Sequence, residues 1–455
     1  MKIHPFRKKL STKDIENFEK AVAGAVDAGQ EEGAWKKVQA FMRSYKYQNK
    51  AALGLVRIVD NGYLTIDQGL EVLSKIYELY SNNIEIVSLI GSALEGASDT
   101  NHLNREAPEH PLFVDVIKNL ESQLEAIKNT NEEALMLEGL ATATRMMARQ
   151  YDELAARCYR RLLEIDPDSS NYHYSYGLFC KTRGLFQEGW QANERGLDLL
   201  GESREAYVWN LGICATGAGE GEAALKMWKG IGNKIEMGRF DLPEGGYPQC
   251  KVRLAQRPLA ERNSDNDDPG LEETVWIQRL SPCHGIIRSV LFQDLGVDYG
   301  DVILMDGAPI TYHKYDDEEI PVFPHLATLV RQHYHFYNFA GTQEKASQIS
   351  DLSKELDRDA IIYSHSENYR IICKECWNNP NVNHQHHDDE EEKHIITGRV
   401  AAPNDMTPAE LLSQIDKAAQ IAKECEIYIP GLCAAAGFQN RANIELRRFE
   451  MLKNN

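Results

Sequence analysis

Tyr151 to Pro167 reads YDELAARCYRRLLEIDP, and this stretch limits what the front of the chain can become. Ala155, Tyr159 and Leu162 fall four and three residues apart, so they share one face of a helix. Pro167, five residues after Leu162, ends the helical run.

The chain has 455 residues, more than one hydrophobic core usually serves, so two or more domains are expected. From Ser11 to Ile231 the pattern is helical almost throughout. Ser11 and Thr12 offer an N-cap, with Asp14 and Glu16 in the first turn. Asp60-Asn61-Gly62 breaks one helix, and Thr65 to Tyr80 forms the next. His102 to His110 is a polar break, and Pro111 restarts helix. Ala134 to Gln150 and Tyr151 to Ile165 follow as a pair. Tyr172 to Leu200 repeats the plan around a turn at Gly184. A further copy starts at Ala206, turns at Gly217 to Gly221, and packs its second helix through Ala224 and Trp228.

From about Ala134 to Ile231 this pattern resembles the tetratricopeptide repeat, a two-helix unit of about 34 residues. Tyr176-Gly177 and Leu211-Gly212 stand where that repeat has Leu-Gly. The resemblance implies a curved stack whose groove binds peptides or protein surfaces. The positions expected to meet a partner lie along the first helix of each repeat. They are Tyr172, Tyr174 and Lys181 in one, and Tyr207 and Asn210 in the next.

Glu261 to Gly270, ERNSDNDDPG, is polar and rich in turn residues. After it the periodicity changes. Glu273–Leu280, Asp301–Met305, His335–Phe339, Ala360–Tyr363, His394–Ala401 and Ile427–Ile429 read as strands. Pro324–Gln332, Gln343–Leu356, Pro408–Glu424 and Asn440–Lys453 read as helices. The expected fold class is multidomain α plus α/β. A helical repeat domain would span 1–260 and an acidic linker 261–272. An α/β domain with a mixed sheet would span 273–455.

Lys and Arg number 50 against 69 Asp and Glu, a net charge of -19. Such a surface repels phosphate backbones and anionic lipid, so nucleic acid and membrane are not expected partners. A basic protein would be steered in. The nine cysteines show no disulfide spacing, and no apolar run follows the charged N-terminus. The expected location is the cytoplasm.

Cys373-x2-Cys376 precedes His384 and His386, with His387 and His394 as substitutes, in the stretch 371–394. Two thiolates in that spacing can aim at one tetrahedral Zn2+, and two histidines would complete it. Cys283 and His284 are adjacent, so on extended chain they point to opposite faces and suit a turn better than a dyad. Asp298, Asp301 and Asp306 flank a strand beside glycines, where carboxylates cap turns. His333 and His335 would share one strand face, and His365 follows a strand end. Cys283, Asp306 and His365 are the catalytic candidates. The chain has no phosphate-binding G-x4-G-K-[ST] loop and no H-E-x-x-H.

The function expected from these residues is protein recognition by an adaptor or inhibitor. One concrete form is an immunity-type protein that neutralises a basic toxin or effector. The alternative is a metal- or cysteine-dependent enzyme in the α/β domain, with the repeats recruiting substrate.

Overall fold

The computed structural model describes residues 10–45, 48–98, 110–147, 149–315, 318–345, 348–365, 371–372, 393–421 and 425–453. The chain divides into two compact units. The first comprises residues 1–244, 257–269 and 306–312, and the second 245–256, 270–305 and 313–455.

The first unit is a run of antiparallel helices: α1 (Thr12–Asp27), α2 (Glu31–Tyr45), α3 (Asn49–Asp60), α4 (Ile66–Tyr80), α5 (Ile84–Ala93) and α6 (Pro111–Ile127). Then come α7 (Glu133–Arg145), α8 (Asp152–Ile165), α9 (Ser170–Arg183), α10 (Phe186–Leu200), α11 (Glu205–Gly217) and α12 (Gly221–Gly230). Their ends follow local chemistry. The Ser11 hydroxyl accepts from the Asp14 amide, and the Asp14 carboxylate accepts from the Ser11 amide, a reciprocal cap at α1. Thr65 and Gln68 repeat the device at α4. Gly184 takes φ +72 between α9 and α10, a conformation side chains other than glycine rarely hold.

Packing explains the spacing of the repeat residues. Ala155, Tyr159 and Leu162 are buried on α8, and one continuous core runs from Leu10 to Cys180. On α12, Ala224 and Trp228 are fully buried. A Cβ on Gly212 would lie 2.4 Å from the Trp228 indole, so α11 and α12 approach as closely as they do only with glycine there. The front half is therefore a tetratricopeptide-like array of helix pairs. Among the described residues no helix is long and apolar enough to cross a membrane.

Two short strands, β1 (Ile235–Met237) and β2 (Pro243–Gly245), pair beyond α12. The second unit then starts earlier than expected, with β3 (Cys250–Ala255). It continues with β4 (Glu272–Arg279), β5 (His284–Ile287), β6 (Val302–Met305) and β8 (Glu318–Val330), and β7 (Thr311–Tyr315) enters it from His313 on, its first two residues being counted with the first unit. Neighbouring strands along β3-β4-β5-β6-β8 are antiparallel, and β8 pairs back onto β3 in parallel. A closed ring of five alternating strands must contain one parallel join, and this is it. Register shifts in β6 help the sheet curl. The barrel core holds Val252, Ile277, Ile287, Ile303, Met305 and Phe323.

A second sheet is formed by β9 (His335–Gln343), β10 (Ile361–Ser364), β11 (Ile371–Ile372), β12 (Lys393–Ala402) and β13 (Cys425–Tyr428). It is antiparallel, ordered β10-β12-β9-β13, with β11 also on β12. One face packs on α13 (Gln348–Lys354), α14 (Pro408–Ile421) and α15 (Pro430–Ala435), which Ala442 of α16 (Gln439–Lys453) joins, while Leu452 and Phe449 of α16 lie with Ala340 and Ile395 of the other face. The α/β class with a mixed sheet is thus present.

Two expectations need correction. Pro324–Gln332 is not a helix, because its residues up to Val330 form the end of β8. Val322 to Leu326 are all buried, and a strand buried on both faces loses the alternation that marks strands in sequence. The boundaries also shift. Gly245–Gln256 belongs to the second unit, and 257–269, where the linker was expected, belongs to the first.

Replacing Gly212 by alanine should cost about 1–3 kcal/mol through overpacking against Trp228. Gly24 in α1 has nothing within 4 Å of its Cβ position, so Gly24→Ala should gain roughly 0.5–1 kcal/mol. Urea unfolding of the two variants measures the contrast.

Candidate recognition surface

The last turns of α7 and α9 and the short segment after α7 carry four buried cations: Arg145, Arg149, Lys181 and Arg183. Positive charge at a helix C-terminus is favoured by the helix dipole, and each side chain also finds an acceptor. Arg183 donates to the Arg145 and Met147 carbonyls at 3.0 and 3.3 Å and pairs with Asp152 at 2.6 Å. Arg149 donates to the Arg183 carbonyl at 3.2 Å and to the Leu259 carbonyl at 2.6 Å. Burial, with Arg183 beside it, pushes Arg149 down to about 10. Arg145 pairs with Glu95 at 2.6 Å. Burial opposes its charge, but Glu95 and Tyr159 hold it above the ordinary arginine range.

Lys181 meets Asp306 at 2.8 Å, and both side chains are more than nine-tenths buried. Tyr174 stacks on Tyr207 with ring centroids 4.3 Å apart. The Ser170 hydroxyl donates to the Gly196 carbonyl at 2.8 Å and accepts from the Tyr207 hydroxyl at 3.1 Å. Of the five residues expected to face a partner, Lys181, Tyr207 and Asn210 are buried, and Tyr172 and Tyr174 are half-buried. α9 packs against α11, so Tyr174 and Tyr207 fill space between repeats, while Lys181 is covered by Asp306.

An open surface lies elsewhere in the first unit. A groove of about 450 Å³ runs between α2 and α4 over α3. Buried Ala52, Leu55 and Ile76 form its floor, while Leu79 stands 44% exposed at the edge. Arg43, Glu71, Lys75 and Glu78 supply charge at the rim. Sequence reasoning missed this groove. Its one local signal is Leu79, which continues the apolar set of α4 onto an exposed position.

The catalytic candidates have separate surroundings. Cys283 is fully buried, and its amide donates to the Ser281 hydroxyl at 3.2 Å. The His284 amide does the same at 3.2 Å, while the Ser281 hydroxyl also touches His284 Nδ1. With two amides donating to it, the hydroxyl gives its proton to Nδ1, which leaves the imidazole proton on Nε2. Burial pushes His284 down to about 4. Asp306 accepts from the Ala308 amide at 2.9 Å besides pairing with Lys181. His365 Nε2 lies 2.6 Å from the Val290 carbonyl, under the Phe292 ring.

The other acidic positions are also structural. Asp298 accepts from the Leu291 and Tyr299 amides and pairs with Arg399. Asp301 accepts from the Gln332 amide at 2.7 Å. His333 has φ +54 and precedes β9, so it does not share a strand face with His335. Cys373, Cys376, His384 and His386 lie outside the described residues, as does His387. His394 sits on β12 opposite Ile371 and Gln343.

The folded pKa of His284, about 4, lies below its ordinary 6.5. Below pH 6.5 the unfolded chain therefore takes up a proton that the folded chain refuses. The stability tied to neutral His284 is complete above pH 6.5 and declines as pH falls toward 4, by about 3 kcal/mol in all. Urea unfolding at pH 7, 5.5 and 4.5 should show a shallower acid loss for His284→Gln than for the native chain.

No protein-family model matches the chain, and no curated protein matches it in sequence. Solved structures similar to it include PilW, a widely conserved type IV pilus biogenesis factor. That match has 11% identity and a TM-score of 0.36, over 49% of this chain and 93% of PilW. PilF of Pseudomonas aeruginosa is 14% identical with a TM-score of 0.31, over 48% of this chain and 90% of its own. The TPR domain of P58(IPK) is 13% identical with a TM-score of 0.20, over 49% of this chain and 67% of its own. Scores this low leave the repeat architecture resting on the chain's own helix pairs.

Proposed function

We propose that the chain is a protein-interaction module, an adaptor or inhibitor that holds a segment of another polypeptide in the groove of α2, α3 and α4. The observation that carries this reading is the groove itself: an apolar floor, an exposed Leu79 at the edge and a charged rim. An amphipathic helix or a short extended segment fits a groove of this kind, with apolar anchors on the floor and polar groups at the rim. The net charge of -19 favours a basic partner, of which a basic toxin or effector is one form.

Tagged chain used as bait in its native host should recover one protein in stoichiometric amount. Leu79→Glu should lower that recovery at least tenfold, by placing a charge against the apolar floor. Ile444→Ser, at an exposed position of α16, should leave it unchanged. Equal recovery by both variants would remove the groove from the reading. For a basic partner, the association rate should also fall steeply with added salt.

For the second unit we propose a structural zinc ion held by Cys373, Cys376, His384 and His386, supported by the spacing of the two thiolates. Elemental analysis should find one zinc per purified chain, lost in Cys373→Ser. A metal-free native chain would end this part of the proposal.

A further inference from the structure

The first unit includes a short segment from far along the chain, residues 306–312, and this segment sits on α9 and α11 in an unusually selective way. Three contacts define the fit. Lys181, on the last turn of α9, pairs with the Asp306 carboxylate at 2.8 Å. Gly307 lies against the indole of Trp209 on α11, where a Cβ would fall 2.4 Å from the ring. The other Asp306 oxygen accepts from the Ala308 amide at 2.9 Å, which holds the segment in a tight turn. The surface thus asks for a carboxylate, then a residue without a side chain, in a turn the carboxylate itself maintains.

We propose that Lys181 and Trp209 form a reader for Asp-Gly turns, occupied in the resting chain by its own Asp306-Gly307. A partner polypeptide presenting an Asp-Gly turn takes the same place when the internal segment lets go.

The chemistry explains why the occupant must be of this class. A buried ammonium without a carboxylate is costly, so the face does not stand empty. Only a ligand that returns a carboxylate to Lys181 can replace Asp306. Asparagine would return a dipole in place of a charge, and alanine after the aspartate would strike Trp209. A neighbouring return follows similar logic: Arg149 is met by the Asp267 carboxylate at 3.4 Å and by the Leu259 carbonyl, both within 257–269. This inference does not depend on the groove of α2 and α4. The two surfaces share no residue.

The test uses the full chain carrying Asp306→Ser with Gly307→Ala, and a labelled peptide of sequence ILMDGAPI, copied from residues 303–310. Fluorescence anisotropy should show no binding to the native chain, whose site is filled, and saturable binding to the double variant. Changing the peptide to ILMNGAPI or ILMDAAPI should weaken binding at least tenfold, and adding Lys181→Met to the double variant should abolish it. Leu79→Glu should leave peptide binding unchanged, which separates this surface from the groove. A folded double variant that does not bind the peptide overturns the proposal, as does binding indifferent to the Asp and Gly changes. Near-UV circular dichroism checks the fold. If the double variant and Gly307→Ala alone both lose their fold, the proposal also falls, because the segment is then a fixed part of the core and not an exchangeable occupant.

Discussion

A buried cation must be met by an acceptor, and much of the first unit is arranged around that requirement. Removing the partner of a buried charge typically costs about 3–5 kcal/mol. Arg145, Arg149, Lys181 and Arg183 all stand under this demand. Two of them are answered locally, Arg183 by Asp152 and the end of α7, and Arg145 by Glu95. Arg149 and Lys181 are answered by Leu259, Asp267 and Asp306, from far along the chain. The helical unit is therefore not made of helices alone. Its cations recruit two later segments, and those segments cover positions that a bare repeat would show to solvent.

In the second unit the governing constraint is geometric. Five alternating strands close only if one join is parallel, and the β3–β8 pair supplies it. The loop between β5 and β6 is then pinned to the second sheet. Arg399 donates to the Leu291 carbonyl at 3.0 Å, pairs with Asp298 and lies 4.2 Å over the Phe336 ring. His365 holds Val290 in the same region. Residues that looked like scattered catalytic candidates are largely the fasteners of this loop and of the turn before β5.

Local features were legible where the cause was local. The Ser11 and Thr65 helix starts, the turn at Gly184, the stop at Pro167 and the strands at 272–279 and 393–402 all follow from neighbouring residues. Features with a distant cause were not. The strand through Pro324 is buried on both faces and so lacks alternation. The strand β3 depends on partners that lie from about 20 to 70 residues away. Lys181 looked free because Asp306 is 125 positions later in the chain. The groove of α2 and α4 draws its residues from three helices, and they form no motif along the chain.

What the chain determined by itself is the periodicity of its front half, the glycines that admit close helix contact, and a net charge of -19. Those properties need only a residue and its near neighbours along a helix. Which polar residues face a partner and which are already engaged was decided in three dimensions. Burial of a charge is set by whatever comes to lie against it, and at Lys181 that was an aspartate the helical pattern had no means of announcing.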